Sequence, residues 1–182
     1  MVKYFLSKKL ANVSNRFKIY DENDQVVYYT KTDLASLGLK LSVFEMIATP
    51  PQQLQQQQEK EQHEIYYMKE KVKLSMHRKF EIYKGGDHLH VIAVIRQDKL
   101  WNPTFSVKGD SFTLTLKGNK MASHFQVLND DGIECGRIEK TWRKTKPTYE
   151  LDILDSFEFE IPFFFCFALA IDRTFFNNTT NG

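Results

Sequence analysis

The segment from Ile161 to Phe176, IPFFFCFALAIDRTFF, limits what this chain can fold into more than any other. Its apolar run is unbroken from Ile161 to Ile171 and then meets Asp172 and Arg173. A membrane-spanning helix needs roughly 20 predominantly apolar residues, so this run has the length of a buried core helix instead. Pro162 suits the first turn, where its missing N–H costs nothing. A helix from Pro162 to Phe176 is about 22 Å long. Phe163, Phe164, Phe165, Phe167, Leu169 and Ile171 cover every side of it, and a helix apolar all round is buried all round. The rest of the chain has to enclose it.

Most of that rest alternates with period 2. In SFTLTLKG, Phe112, Leu114 and Leu116 share one face and Ser111, Thr113 and Thr115 the other, and YELDI and FEFEI behave alike. This is the pattern of half-buried antiparallel strands. Three hairpins share a plan, beginning at Phe17, Phe80 and Phe125: Phe-x-(Ile/Val), a polar turn, then β-branched residues. Asp131-Gly132 and Gly85-Gly86 supply the positive-φ residues such turns need. Strands are predicted at 2–6, 17–21, 25–31, 39–46, 64–69, 79–84, 89–96, 104–108, 111–116, 124–128, 133–140 and 148–153, with 157–161 as an optional continuation of the last. Twelve strands leave exposed edges unless the sheet closes. The expected fold is mainly β: one domain over residues 1–182, a closed twelve-stranded antiparallel β-barrel around a central hydrophobic C-terminal α-helix. The polar, low-complexity stretch PPQQLQQQQEKEQ, residues 50–62, is read as a disordered loop lengthening one hairpin, with an interaction tract as the alternative.

Charge and cysteines bound the partners. Lys and Arg number 25 against 23 Asp and Glu, a formal net charge of +2, so no nucleic-acid partner is expected and any charged surface must be local. Cys135 and Cys166 lack CxxC spacing and are expected to be reduced, buried thiols, Cys135 the more reactive. The N-terminal MVKYFLSKKLANV has too short an apolar run for a signal peptide. Met1-Val2 does not fit N-myristoylation, nor TTNG prenylation. The sequons at Asn12, Asn177 and Asn178 are expected to stay unglycosylated. The expected location is cytoplasmic, with peripheral membrane association as a further option and no transmembrane segment.

The stretches FKIYDENDQVVYYTK, SLGLKLSVFEM, YYMKEKVKLSMHRKFEIYKGGDHLHVIAVIRQDKLWNPTFSV, FQVLNDDGIECGRIEK and FALAIDRTFF are similar to the LURP-one-related family. That family is part of the tubby C-terminal-like superfamily, which includes the phospholipid scramblases. Tyr66 to Val107 is the most specific block, and the closing Ala-Ile-Asp followed by Phe-Phe is similar to the scramblase C-terminal helix. The resemblance implies a twelve-stranded barrel around a hydrophobic helix. It also implies a poorly characterised, binding-type role, since tubby C-terminal domains bind phosphoinositides. The glutamine insert stands where relatives have a tight turn. The scramblases' Pro-rich N-terminal region, Cys cluster and acidic loop before the last helix have no counterpart, so scrambling is not carried over.

No catalytic constellation emerges: there is no Gly-x-Ser-x-Gly, His-Glu-x-x-His or phosphate-cradling glycine loop, and the sequence calls for no cofactor and no metal. His88 and His90 are placed on one face of a strand as a solvent-facing pair, and His77 and His124 at strand ends. DENDQ, Asp21 to Gln25, is read as a hairpin turn. Asp172 is expected to be a helix-end carboxylate held by backbone or by Arg173. RIEKTWRKTK gathers Arg137, Lys140, Arg143, Lys144 and Lys146 around Trp142, against Glu139 alone. It is read either as a solvated hairpin loop or as a surface for anionic lipid headgroups, with Trp142 at the water–lipid boundary. Three functional classes follow: a module docking on anionic membranes, a protein-interaction scaffold with unidentified partners, and an enzyme or lipid translocator. The last needs a polar catalytic cluster or a spanning segment, and the sequence supplies neither.

Overall fold

Every described strand pairs antiparallel with its neighbours in the chain, and the first closes on the last. The computed structural model describes residues 1–8, 17–33, 38–46, 63–72, 77–99, 101, 103–143 and 146–176. The strands are β1 (Val2–Lys8), β2 (Phe17–Tyr20), β3 (Val26–Thr32), β4 (Lys40–Glu45), β5 (Glu64–Glu70), β6 (Lys79–Lys84), β7 (Val91–Lys99), β8 (Thr104–Gly109), β9 (Thr113–Gly118), β10 (His124–Leu128), β11 (Glu134–Arg143) and β12 (Lys146–Ile153), followed by helix α1 (Ile161–Phe175). Closure runs from Val2 opposite Ile153 to Ser7 opposite Thr148. It leaves the sheet without an open edge.

The three similar hairpins are β2–β3, β6–β7 and β10–β11, so the plan recurs every four strands around the barrel. Each has a register shift at the corresponding place, between Ile19 and Tyr20, Ile82 and Tyr83, and Val127 and Leu128. Such irregularities bend a strand and increase its twist, which helps a sheet curl shut. Phe17, Phe80 and Phe125 all point into the core. Gly85 and Gly132 take the positive φ that their turns require.

The helix lies inside the barrel, with Phe163, Phe164, Phe165, Phe167, Leu169 and Ile171 all buried. Fifteen helical residues span about 22 Å, close to the roughly 20 Å of a six- or seven-residue strand, so the helix fills the barrel from end to end. The fit is tight. A Cβ on Gly136 of β11 would stand 2.5 Å from the Phe164 ring and 2.8 Å from the Asp152 carbonyl oxygen. Cys135 and Cys166 are both buried, and the Cys135 thiol meets the Val127 carbonyl oxygen at 3.3 Å. Burial raises Cys135 to about 11 and Cys166 to about 12. The expected difference in reactivity between the two thiols therefore loses its basis.

Some elements differ from the sequence expectation. Residues 157–161 form no further strand, because a closed barrel offers no edge to pair with. Phe157 and Phe159 bend into the barrel mouth instead. Phe157 meets Phe164 edge-on at 5.0 Å, and Phe159 packs on Phe112 at 4.4 Å and on Phe163 at 5.5 Å. His88 and His90 precede β7 rather than sharing a strand face. His88 has φ 51°, stacks on Tyr67 at 3.8 Å, and places Nε2 2.5 Å from Glu64. The glutamine stretch at 50–62 lies outside the described residues. Gly136→Ala should destabilise the protein by about 1–3 kcal/mol through overpacking against Phe164, seen as a lower urea midpoint; an unchanged midpoint would mean the helix does not press on this wall.

Candidate functional site

RIEKTWRKTK is mostly strand. β11 continues to Arg143 and β12 begins at Lys146, so only residues 144 and 145 are left between them. Alternation then divides the basic residues. Arg137 lies on the outer wall, ion-paired with Glu134 and opposite Asp152. Six residues of strand, about 20 Å, separate it from Arg143. Lys140 turns the other way, its Nζ 3.0 Å from the centroid of Phe176 at the end of the helix. Burial lowers its pKa, with Asp172 opposing and Lys8 reinforcing the shift. Arg143 leans along the outer wall, over the Phe5 ring at 3.9 Å and 2.9 Å from Asp24. Lys144 lies outside the described residues. The structure therefore sets Arg143 and Lys146 directly opposite in register on the outer face with Phe5 and Asp24. Trp142, one residue earlier, takes the same face of the strand as Lys140. Trp142 is 73% exposed.

A second basic feature went unnoticed in the sequence. A groove of about 570 Å³ on the outer wall is lined by Lys71, His77, Lys79, Arg96, Lys108 and Asp98, among others. Lys79 and Arg96 face each other directly across β6 and β7. Lys71 is held by Glu81 at 2.9 Å, and Asp98 accepts from Ser106 at 3.2 Å. The signal was one outward-facing basic residue on each of three neighbouring strands, Lys79, Arg96 and Lys108, and it needed the register to assemble them.

DENDQ forms a turn, with Asp21 Oδ1 accepting the N–H groups of Asn23 and Gln25, each at 2.9 Å. His124 opens β10 opposite Glu139. Among the described residues no three His, Cys, Asp or Glu side chains gather as a metal set, and no helix is long and apolar enough to cross a membrane.

Two buried acids sit at the end of the barrel where α1 finishes. Glu70 accepts the Leu39 N–H and Arg173 Nε, each at 3.0 Å, and pairs with Arg78. It thus ties the helix to two loops. Asp172 accepts the Tyr149 hydroxyl at 2.9 Å, a partner the sequence reading did not foresee. Burial pushes Glu70 up, but the Leu39 N–H, Arg173 and Arg78 outweigh it and hold the carboxyl below its ordinary value of 4.5. Its contribution to stability is present above that value and is lost as pH falls through the folded pKa. Asp172 runs the other way. Burial raises it above its ordinary 3.8 against Lys8, Tyr149, Lys140 and Arg173, so its contribution is present in acid and lost as pH rises. Thermal melts between about pH 3 and 8 should distinguish the two. Glu70→Gln should cost about 2 kcal/mol near neutrality, with the gap to the unsubstituted protein closing in acid, whereas Asp172→Asn should raise the neutral melting temperature. A pH-independent Glu70→Gln penalty would contradict the assignment.

Known proteins bear on the fold and the family. An X-ray structure of a protein from Arabidopsis thaliana aligns with a TM-score of 0.57 at 12% identity, covering 93% of this chain and 88% of that one. At that identity the likeness concerns the fold: a mainly β closed barrel with one C-terminal helix. No curated protein matches this chain. The model of the LURP-one-related family matches residues 2–172, and with that match over nearly the whole sequence the chain belongs to the LURP-one-related family.

Proposed function

We propose that this protein is a non-enzymatic binding module that docks reversibly on anionic membranes, including phosphoinositide-bearing ones, through the β11–β12 hairpin. Membership of the LURP-one-related family supports a binding role without catalysis. The observation that carries the membrane reading is Trp142, left 73% exposed at the tip of the hairpin whose other face carries Arg143 and Lys146. Indole favours the boundary between headgroups and water, and each lysine near an anionic surface adds about 1 kcal/mol. Lys140 serves this surface poorly, since its ammonium is folded over Phe176. Arg137 lies too far along the strand.

Co-sedimentation with neutral, phosphatidylserine and phosphoinositide vesicles, at low and physiological salt, tests the proposal. Binding should require anionic lipid, weaken with salt, and fall about tenfold or more when Lys144 and Lys146 are changed to Glu. Equal sedimentation with neutral and anionic vesicles, or none with either, would reject membrane docking and favour a scaffold that recruits proteins.

A further inference from the structure

An antiparallel meander sends alternate turns to opposite ends of its barrel, and here the two ends differ in charge. The turns β2–β3, β6–β7, β8–β9 and β10–β11 carry Glu22, Asp87, Asp110, Asp130 and Asp131, and the segment entering α1 brings Glu158 and Glu160 to the same end. Lys84 there is paired with Glu160. The other end, where α1 finishes, has a repeated composition. Four successive turns on that side each hold a bulky apolar side chain next to, or two residues from, a cation: Lys71 and Val72, Lys99 and Trp101, Lys120 and Met121, Trp142 and Arg143. The apolar members stand 65%, 93%, 79% and 73% exposed in that order. Acids at this end are engaged: Glu70 and Asp172 are buried, and Asp33 lies 3.8 Å from Lys40. Asp98 is bonded to Ser106. Of the four cations, Lys71 is paired with Glu81 and Arg143 with Asp24, which leaves Lys99 and Lys120 as the cations that carry the charge argument. Exposed Met1, Val2, Met46, Leu89, Val91 and Ile133 lie at the acidic end, so exposed apolar side chains alone do not distinguish the ends. Those six stand at the end whose turns carry carboxylates that an anionic surface would repel.

We propose that this whole end of the barrel, rather than the β11–β12 hairpin alone, is the membrane-facing surface. It takes Val72, Trp101, Met121 and Trp142 into the headgroup layer of an anionic bilayer, with the barrel axis across the membrane plane and the acidic end toward solution. The inference rests on the docking reading above and extends it. Charge complementarity selects an anionic occupant. The separation of the four tips onto different turns favours a fluid one, because a headgroup layer receives scattered side chains without a matched shape, whereas a protein partner needs a continuous complementary face. The separation of charge between the ends orients the approach, since an anionic surface attracts one end and repels the other.

The chain's two tryptophans, Trp101 and Trp142, both lie at this end and serve as native probes. Single-tryptophan proteins carrying Trp101→Phe or Trp142→Phe are mixed with phosphatidylserine–phosphatidylcholine vesicles containing lipids brominated high in the acyl chain. Both remaining tryptophans should shift to shorter wavelength and be quenched. Lys99→Glu with Lys120→Glu, both outside the β11–β12 hairpin, should weaken binding about tenfold, while Asp130→Asn with Asp131→Asn should not weaken it. Circular dichroism melts establish that these surface variants remain folded. Binding that quenches Trp142 but leaves Trp101 and the Lys99/Lys120 variant unaffected overturns this inference and spares docking by the hairpin. Absence of vesicle binding overturns both. Capture of soluble polyglutamate without vesicle binding reassigns the surface to an acidic protein.

Discussion

A helix with no polar face has to be enclosed, and the rest of this structure follows from that requirement. Its fifteen residues need a wall on every side, which a closed sheet supplies and an open one does not. The wall is as deep as the helix is long. At Gly136, under the Phe164 ring, there is room for a hydrogen and none for a methyl group. Strand β5 anchors both ends: Tyr66 donates to Glu160 at 2.8 Å before the helix begins, and Glu70 receives Arg173 in its last turn. Arg173 also suits the negative end of the helix dipole.

Filling the interior has a functional consequence. With seven phenylalanines of the barrel and helix wholly buried in the core, recognition is displaced to the outer wall and to the two ends. The formal charge of +2 conceals how unevenly charge is arranged there. One end gathers aspartates on short turns, and the other gathers lysines beside exposed apolar tips. The meander topology turns a scattered linear sequence into this polarity, because every second turn returns to the same end. The groove over β6 to β8 adds a further cationic surface on the wall that extends from the basic end.

Much of the architecture was legible because its signals are local. Period-2 alternation placed the strands within a few residues, and the Phe-x-(Ile/Val) plan marked the three hairpins that share a register shift. The candidate site was less legible. RIEKTWRKTK is contiguous in sequence, yet a strand sends neighbouring side chains to opposite faces. Arg137 and Lys140 therefore separate, and Trp142 shares the tip of the hairpin with Arg143 and Lys146 but not their face. FEFEI alternates as a strand does, but its phenylalanines plug the barrel mouth because no edge remains to accept it.

The sequence by itself determined that the C-terminal segment is a buried helix, that the remainder is antiparallel strand, and that the sheet must close, since these depend on apolar spacing along the chain. Only the tertiary structure decided which distant residues meet. Tyr149 holds Asp172, Glu70 holds Arg173, and Lys79 faces Arg96, each through a register or a helix depth that no local pattern encodes. The same holds for the ends of the barrel. Val72, Trp101, Met121 and Trp142 are far apart in the chain, and they come to one end only because every second turn of an antiparallel meander returns there.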